Sequence, residues 1–408
     1  MQNLSAVPAV KPELLAPAGD LERLRTAIRF GADAVYLAGQ KFGMRSACAN
    51  FSPEELREAV AYAHAQGVRV YVACNTVPHP DEMAELPGFL TETARAGVDA
   101  LIVSDLGVFR MARRLVPEME LHVSTQAGVV NAESARMFYE LGARRIVPAR
   151  ELSLRELSLL RRDIPADMEI EAFVHGAMCV SFSGRCLLSA YLTGRDSNRG
   201  DCAQPCRWKY AVMEEKRPGA YFPIEEDGAG TYLFNSRDLC MIAHIPKLIA
   251  AGVRSFKIEG RAKSSYYVAL TVNAYRMAID AAVAGRAPEP WVLDEVNRIS
   301  HRAYCTGFFF DSEPGQVYEN GGYIRTYEAA ALVTGWADGV LFAAQRNRFF
   351  RGDTLEVVAP GEAPWALPVT ELQNGDGVPI EAANHPEMAL RIPCARPVPA
   401  GALLRRKK

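Results

Sequence analysis

Five cysteines fall within one short part of this 408-residue chain, although the whole sequence contains only nine. They are Cys179, Cys186, Cys202, Cys206 and Cys240. Thiolates collected in this way indicate a soft metal or an iron–sulfur cluster. Their spacing differs from the two close C-x2-C pairs that are typical of a zinc ribbon. The alternative interpretation is that several of them are buried small apolar residues, which is common for free cysteine.

A second group of polar residues follows the ends of predicted strands, where a parallel barrel places its active site. These residues are Asn75, Ser104, Asp105, Gln126, Glu151, His175, Glu259 and Arg261, while Arg45 and Asn50 lie in the loop after the second strand. Arg45 and Arg261 suit a small dicarboxylate, because a guanidinium binds a carboxylate through two hydrogen bonds. Either arginine could instead form an ordinary ion pair.

His175, Glu259 and Arg261 are the candidate catalytic residues, and of these His175 and Glu259 could transfer protons. The alternatives are that His175 is a structural hydrogen-bond donor and that Glu259 pairs with Arg261. Asn50, Asn75 and Gln126 are candidate substrate contacts. Arg207 and Trp208 interleave a cation with an aromatic ring just after the cysteines, which suits stacking on an unpaired base. Trp208 could equally pack beneath its own loop.

Short apolar segments alternate with amphipathic helices between residues 13 and 285. The eight candidate strands begin near residues 13, 34, 68, 100, 121, 145, 169 and 254. Eight βα repeats predict an α/β fold of the TIM-like (β/α)8 barrel type. A doubly wound open sheet is the alternative, although no G-x-G-x-x-G follows the first strand. Between strands seven and eight lies a cysteine-rich insertion, residues 176–245, on the expected catalytic face.

The pattern changes after residue 285, which predicts three parts in all: a barrel over residues 1–285, a connector and a C-terminal domain. Residues 286–325 are expected to form a helical connector. Residues 326–408 contain short apolar segments between turn residues, which is typical of a small β-barrel domain. The basic tail, Arg405-Arg-Lys-Lys408, is expected to be a frayed end, with a contact to phosphate as the alternative.

Composition limits the class of protein and its surroundings. With 49% hydrophobic and 23% charged residues, the chain has the profile of an ordinary globular protein. A formal net charge of -2 predicts no general attraction for nucleic acid, so any RNA contact must come from local patches. The first residues lack the features of a signal peptide, and no apolar run reaches the about 18 residues of a membrane span. A cytoplasmic location is therefore expected.

The segment Glu171-Ala-Phe-Val-His-Gly-Ala-Met-Cys-Val-Ser-Phe-Ser-Gly-Arg-Cys-Leu-Leu-Ser189 carries a recognisable signature. It resembles the collagenase-like peptidase family U-32 at every fixed position of the family's motif. Further segments similar to this family include Glu13-Leu-Leu-Ala-Pro-Ala-Gly19, Asn235-Ser-Arg-Asp-Leu-Cys240 and Lys257-Ile-Glu-Gly-Arg261. The resemblance covers essentially the whole chain.

The resemblance implies hydroxylation chemistry, most closely formation of 5-hydroxyuridine at the wobble position of tRNA. It also implies a [4Fe–4S] cluster, with prephenate as the oxygen source. By position, the cluster ligands would be Cys179, Cys186, Cys202 and Cys240, with Cys206 as an alternative. The partners implied are tRNA and a small dicarboxylate, and the chain would be an enzyme.

Two other classes of function remain as alternatives. The family name implies a peptidase, yet the sequence contains neither the H-E-x-x-H motif of zinc proteases nor the G-x-S-x-G motif of serine hydrolases. A non-catalytic RNA-binding protein is the third possibility. The five cysteines favour the hydroxylase over a peptidase, because a peptidase needs no such set.

Overall fold

The computed structural model describes residues 11–44, 49–179, 182–184, 186–208, 212–213, 221–222, 237–311 and 323–408. Within these residues, eight parallel strands close into a barrel. The first seven are β1 (Glu13–Pro17), β2 (Ala34–Leu37), β3 (Arg69–Cys74), β4 (Ala100–Val103), β5 (Glu120–Val123), β6 (Arg145–Ile146) and β7 (Glu169–Ala177), and the eighth barrel strand is Ser255–Ile258. The eighth strand pairs with both β7 and β1. This closure confirms the predicted TIM-like barrel and excludes the open sheet.

A helix follows each barrel strand before the next begins, or, after the eighth strand, before the connector. These helices are Leu21–Arg29, Pro53–His64, Leu86–Arg95, Leu106–Leu115, Ala132–Glu140, Leu154–Asp163, Ile245–Ala250 and Ser265–Val283. Their starts are encoded locally: Ser52 and Glu55 form a reciprocal capping box at the second helix. Asp105 caps the fourth helix, accepting a hydrogen bond from the backbone N–H of Val108 at 2.9 Å. None of the described helices is long and apolar enough to cross a membrane.

The bore of the barrel has two halves of different chemistry. The half built from β1 to β4 is filled by a buried cluster of Leu15, Ala34, Tyr36, Tyr71, Ala100 and Ile102. The half built from β5 to the eighth strand instead buries His122, Arg145, Glu171, Ser255 and Lys257. Apolar side chains on the outside of the same strands pack against the helices and form the main core. The barrel therefore owes its stability mainly to its outer layer, which leaves one side of its interior for polar groups.

The cysteine-containing segment leaves the barrel at the carboxyl end of β7. A short strand, Asp238–Cys240, returns antiparallel to the end of β7, with Cys240 opposite His175. Further described elements of this segment are the helix Leu188–Thr193, the 3-10 turns Ser197–Arg199 and Pro205–Arg207, and the paired strands Val212–Met213 and Tyr221–Phe222. The described part of the connector contains the short helix Pro290–Glu295 and the strand Tyr304–Cys305.

The C-terminal domain is built from antiparallel strands around its own apolar core. Its main sheet contains Tyr327–Ala337, Val340–Gln345, Thr354–Val358, Trp365–Pro368, Gln373–Asn374, Ala389–Pro393 and Leu403–Lys407, and a separate pair joins Phe349–Phe350 to Ala382–Ala383. Five of these strands coincide with the apolar segments that the sequence predicts. The alternation of apolar and turn residues is therefore a sufficient signal for this domain.

The expectation of a frayed basic tail was wrong. Residues 403–407 form an internal strand that pairs with residues 327–337 on one side and 354–358 on the other. Arg405 is fully buried and donates to the Glu295 carboxylate at 2.7 and 2.8 Å and to Glu356 at 2.8 Å. A buried guanidinium that is paired in this way is not available to bind a phosphate group.

Candidate active site at the mouth of the barrel

A network of buried charges fills the polar half of the bore. Arg145 donates to Glu13 at 2.6 Å, to Glu169 at 2.6 Å and to Glu171 at 3.1 Å. Lys257 Nζ donates to the other oxygen of Glu171 at 2.8 Å. The contacts run from the amino end of the strands up to Lys257, and each of these buried charges has an opposite charge beside it.

The network also fixes which of its groups are ionised. Burial opposes the ionisation of Glu13, but the charge and hydrogen bond of Arg145 outweigh burial and lower the pKa of Glu13 from 4.5 to about 2. Against the effect of its own burial, Lys257 and Arg145 likewise lower the pKa of Glu171. Burial, reinforced by Arg145, lowers the pKa of His122. At neutral pH the bore therefore holds ionised carboxylates and a neutral imidazole.

Above this network lies a cleft of about 530 Å³ at the carboxyl ends of the strands, which we call the mouth cleft. Its polar lining includes Asn75, Gln126, Arg150, Lys257, Glu259 and Arg261. Four of these residues, Asn75, Gln126, Glu259 and Arg261, are candidates predicted from the sequence. The barrel thus brings side chains from four separate strand ends to one cavity, as the carboxyl face of such a fold requires.

Hydrogen bonds hold the walls of the mouth cleft in place. Asn75 Oδ1 accepts from the backbone N–H of Met44 at 3.1 Å, and its Nδ2 donates to Ser124 Oγ at 3.4 Å. The hydroxyl of Tyr36 donates to Glu259 Oε2 at 3.3 Å. Arg261 is buried and donates to the carbonyl oxygen of Met44. Met44 is therefore bound from both sides, which joins the loop after β2 to the loop after the eighth strand.

A second cleft, of about 800 Å³, lies beside the first and is lined by Cys179, Cys186, Cys202 and Cys206. We call it the thiol cleft. The two clefts share Met44, Thr125, Gln126 and Arg150 in their linings. A group bound among the thiols would therefore adjoin a molecule bound at the mouth of the barrel.

Two contacts fasten the cysteine segment over the barrel. The carboxylate of Glu151, a predicted strand-end residue, accepts from the backbone N–H of Ser183 at 3.0 Å and from its hydroxyl at 3.1 Å. Gly184 has a φ of +74° and lies so close to the carbonyl oxygen of Gln126 that a Cβ atom there would overlap it. Only glycine satisfies both conditions without strain, so the approach of the segment to the barrel depends on this residue.

Cys240 and His175 lie outside both clefts, in a buried aromatic cluster. The hydroxyl of Tyr275 is 3.4 Å from His175 Nδ1 and 4.0 Å from Cys240 Sγ. Burial raises the pKa of the Cys240 thiol to about 11 and lowers the pKa of His175 to about 3. His175 is therefore a neutral imidazole, and its catalytic role stays a prediction.

The remaining candidates are dispersed around the site. Arg45 lies outside the described residues, as does the side chain of Arg207, whose backbone forms part of a 3-10 turn. Asn50 is buried, with a φ of +51°. Trp208 is 45% exposed and Tyr191, on the helix between Cys186 and Cys202, is 83% exposed. Exposed large aromatic side chains are a common feature of binding surfaces.

Two further functional candidates, Arg150 and Lys257, are not among the residues predicted from the sequence. Both line the mouth cleft. A signal existed for Lys257, since it stands alone as a charge within the apolar strand Ser255–Ile258, where it must face either the helices or the bore. Arg150 carried only the weaker signal of following β6 by a few residues.

The thiols suit an iron–sulfur cluster in number and in kind, since all eight cysteines that the structure describes are free. They are not yet arranged as ligands, because the described residues contain no group of three or more His, Cys, Asp or Glu side chains positioned to hold a metal ion. The segment therefore supplies the donors for a cluster around one cleft without fixing them at the spacing of ligands.

Comparison with known proteins identifies the family. The model of peptidase family U32 matches residues 19–318, and the model of its C-terminal domain matches residues 325–405. The tRNA hydroxylation protein P of Escherichia coli (strain K12) is 38% identical over 94% of each chain. The tRNA hydroxylation protein P1 of Bacillus subtilis (strain 168) is 37% identical over 98% of this chain and 95% of its own. The 23S rRNA 5-hydroxycytidine synthase of E. coli is 37% identical over 75% of this chain and 46% of its own. These matches confirm the resemblance seen in the sequence, and the chain belongs to peptidase family U32.

Proposed function

We propose that this protein is an enzyme that hydroxylates RNA, with tRNA as its substrate. The observation that carries the proposal is the thiol cleft beside the charged mouth cleft, in a chain that matches two tRNA hydroxylation proteins over nearly its whole length. The finer proposal is that the product is 5-hydroxyuridine at the wobble position and that prephenate provides the oxygen. A peptidase would have no evident use for four thiols around one cleft.

The cluster ligands that we propose are Cys179, Cys186, Cys202 and Cys240, with Cys206 as the alternative ligand. A bound [4Fe–4S] cluster would supply electron transfer next to the substrate. Three of these thiols line the thiol cleft together with Cys206, whereas Cys240 lies outside that cleft, on the strand that pairs with β7. Cys206 and Cys240 are therefore the two candidates for the fourth position.

The protein's own side chains would bind and orient the reactants. We propose that Trp208 and Tyr191 stack on bases that are unpaired in the anticodon loop, because both side chains are exposed on the segment that carries the thiols. Asn75 and Gln126 would contact the edge of the target base from the wall of the mouth cleft. Arg261 and Arg45 would bind carboxylates of prephenate, with Glu259 and His175 as candidates for proton transfer.

The decisive experiment measures nucleosides of tRNA by mass spectrometry in cells that lack this protein. We expect 5-hydroxylated wobble uridine to fall in the deletion strain, to return with the wild-type gene, and to remain low with a Cys179→Ser variant. Purified under anaerobic conditions, the wild-type protein should be brown and contain iron and sulfide. An unchanged tRNA profile together with altered ribosomal RNA or quinone would reject tRNA as the substrate. A colourless protein with stoichiometric zinc would reject the cluster.

A further inference from the structure

A third cavity, of about 890 Å³, is separate from the mouth cleft and the thiol cleft, and we call it the aromatic pocket. Its apolar walls come from the loop after β2 and from the helices Pro53–His64 and Leu86–Arg95, and they include Gly39, Phe42, Phe51, Leu56 and Phe89. The rings of Phe42 and Phe89 are tilted by 56°, with their centroids 5.2 Å apart. A Cβ atom at Gly39 would lie 2.9 Å from the Phe89 ring, so glycine leaves the ring its place. Such walls suit a flat aromatic ligand.

The rim of the aromatic pocket is polar and mainly acidic. Its polar residues include Gln40, Lys41, Glu85 and Glu92. Lys41 forms an ion pair with Glu85. Glu92 is exposed, and no cation in the described part of the chain lies within ion-pair distance of its carboxylate. This carboxylate is therefore available to accept N–H groups of a ligand, while its charge repels a phosphate group.

The backbone at Phe42 couples the aromatic pocket to the mouth cleft. Phe42 has a φ of +61°, a left-handed conformation that is unfavourable for a residue with a large side chain. Its carbonyl oxygen accepts from the backbone N–H and from the hydroxyl of Thr76, each at 3.2 Å. The preceding residue, Asn75, binds Met44 in the wall of the mouth cleft. Strained residues that are held in this way concentrate at ligand sites.

The order of the strands places the mouth cleft between the other two cavities. The aromatic pocket adjoins the segments that follow β2 and β3, whereas the thiol cleft adjoins those that follow β5, β6 and β7. In a closed barrel of eight strands these two groups lie on opposite sides of the mouth. A strand of RNA that crosses the mouth with its target base in the mouth cleft can therefore place a neighbouring base in the aromatic pocket.

We propose that the aromatic pocket binds the base of a nucleotide next to the target, with its ring against Phe42 and Phe89 and its N–H groups donated to Glu92. The identity of the ligand as RNA rests on the proposed function. Aromatic side chains combined with hydrogen bonds to the base edge are the usual means by which proteins read unpaired bases.

The single carboxylate of Glu92 predicts which base the aromatic pocket prefers. Guanine presents two adjacent donors, N1–H and the 2-amino group, which one carboxylate can accept together. Adenine and cytosine each present one amino group beside an acceptor nitrogen, and uracil presents one N–H between two carbonyl groups. The aromatic pocket should therefore bind guanine most tightly and uracil least tightly.

The test compares synthetic RNA stem-loops that carry each of the four bases in turn next to the target uridine. Fluorescence anisotropy measures their binding to the full-length protein purified under anaerobic conditions. We expect the guanine RNA to bind about five- to a hundred-fold more tightly than the uracil RNA, the discrimination typical of a two-bond base contact. Glu92→Gln should remove most of this preference. Phe89→Ala should weaken binding of all four RNAs by a similar factor, because stacking does not depend on the base.

Two control variants separate these effects from general losses of charge or packing. Glu140→Gln removes the same charge from an exposed position on the helix Ala132–Glu140. Phe138→Ala matches Phe89→Ala, since both rings are partly buried against the main core and only Phe89 lines the aromatic pocket. Neither control should change the affinity for any of the RNAs.

Equal affinity of the wild type for all four RNAs would overturn this proposal and leave the proposed hydroxylase intact. A preference for guanine that persists in Glu92→Gln would also overturn it. Failure of the wild type to bind any of the RNAs would reject both the base pocket and the hydroxylase. If Phe89→Ala does not fold, Glu92→Gln still decides the question, because Glu92 is exposed and contributes little to packing.

Discussion

The bore of the barrel and the thiol cleft both collect chemically active side chains, but they do so in different states of readiness. In the bore, Arg145 already contacts three carboxylates and Lys257 already contacts Glu171. In the thiol cleft, four cysteines surround one space without standing at ligand distances from each other. The charges of the bore are thus already paired with one another, whereas the described thiols share a cleft without being grouped as ligands.

The difference follows from where the two sets of residues lie in the fold. The charges of the bore project from strands whose positions are set by the closed sheet, so their geometry is determined by the whole barrel. The thiols lie on a segment with short helices and turns, fastened to the barrel at Glu151 and Gly184. Donors on short helices and turns can adjust to a bound group, whereas charges held on a closed sheet keep their positions. Substitutions of the thiols should therefore lower activity with little loss of stability, whereas substitutions in the bore should mainly lower stability.

The largest expected effect is the loss of tRNA hydroxylation when a cysteine of the thiol cleft is replaced, with the fold retained. Cys179→Ser should remove iron and nearly all tRNA hydroxylation, while its unfolding transition in urea stays close to that of the cluster-free wild type. Cys394→Ser is the control, because that thiol lies in the C-terminal domain and donates to the carbonyl oxygen of Arg396 at 3.0 Å, as a serine hydroxyl can also do. A Cys179→Ser protein with full iron content would show that the cluster ligands lie elsewhere.

The same iron assay identifies the fourth ligand. The family resemblance predicts that Cys240→Ser loses the cluster and that Cys206→Ser keeps it. The opposite result would mean that the thiol cleft alone supplies all four ligands.

The next largest effect should come from the bore and appear as stability. Arg145→Met leaves Glu13 and Glu171 buried without their main partner, so the free energy of unfolding should fall by about 3–5 kcal/mol. Arg162→Met is the matched control: that arginine is 68% exposed in its pair with Asp163, and its loss should change stability by less than about 0.5 kcal/mol. If Arg145→Met unfolds at the same urea concentration as the wild type, the network does not stabilise the barrel.

A smaller effect, on tRNA affinity alone, should come from Trp208, which belongs to neither the bore nor the lining of the thiol cleft. Trp208→Ala should lower the affinity for tRNA by about 1–3 kcal/mol, the contribution of stacking on one base. Iron content and urea stability should not change, since the ring is 45% exposed. Filter binding measures the affinity, with Trp291→Ala, in the connector helix, as the control for loss of an aromatic ring. Unchanged affinity in Trp208→Ala would remove this residue from the RNA surface.

At neutral pH the smallest expected effect comes from a buried histidine, whose contribution to stability emerges only as the pH is lowered. Burial lowers the pKa of His175 from 6.5 to about 3, so between these values the unfolded chain binds one proton more than the folded protein. Stability should therefore fall as the pH decreases from 6.5 toward 3, by about 1.4 kcal/mol per pH unit for this group. Urea unfolding of His175→Gln across this range should show a shallower slope. An identical slope would place the titrating groups elsewhere, with His122 as the first candidate because its pKa is also lowered.

The sequence predicts the outer architecture of this protein better than its interior. The barrel strands and the helix that begins after Ser264 were predictable because apolar periodicity and capping residues are local signals. The strand containing Arg405 was not, since its charges resemble those of a solvated tail. Its partner Glu295 lies 110 residues earlier in the chain, and no local pattern reports a pair at that distance.

The same limit applies to the candidate site. Neighbouring cysteines and the residues after each strand pointed to the clefts, because a barrel gathers its strand ends by rule. The ion pairs inside the bore could not be predicted in this way, since Arg145 and its partner Glu13 are 132 residues apart. Arg150 escaped notice because its contacts are a ring and a carbonyl oxygen, and neither leaves a charge pattern in the sequence.

The buried pair of Arg405 and Glu295 has a consequence for the order in which the chain can mature on the ribosome. Glu295 is synthesised with the connector, but its partner follows 110 residues later. At about 5–20 residues per second, that interval is roughly 5–20 s. Until then the counter-charge nearest to Glu295 is Arg298, which lies 3.8 Å from it in the folded protein, so the bidentate pairing of this buried carboxylate has to wait for Arg405. The final packing of the connector helix around Glu295 therefore depends on the strand Leu403–Lys407.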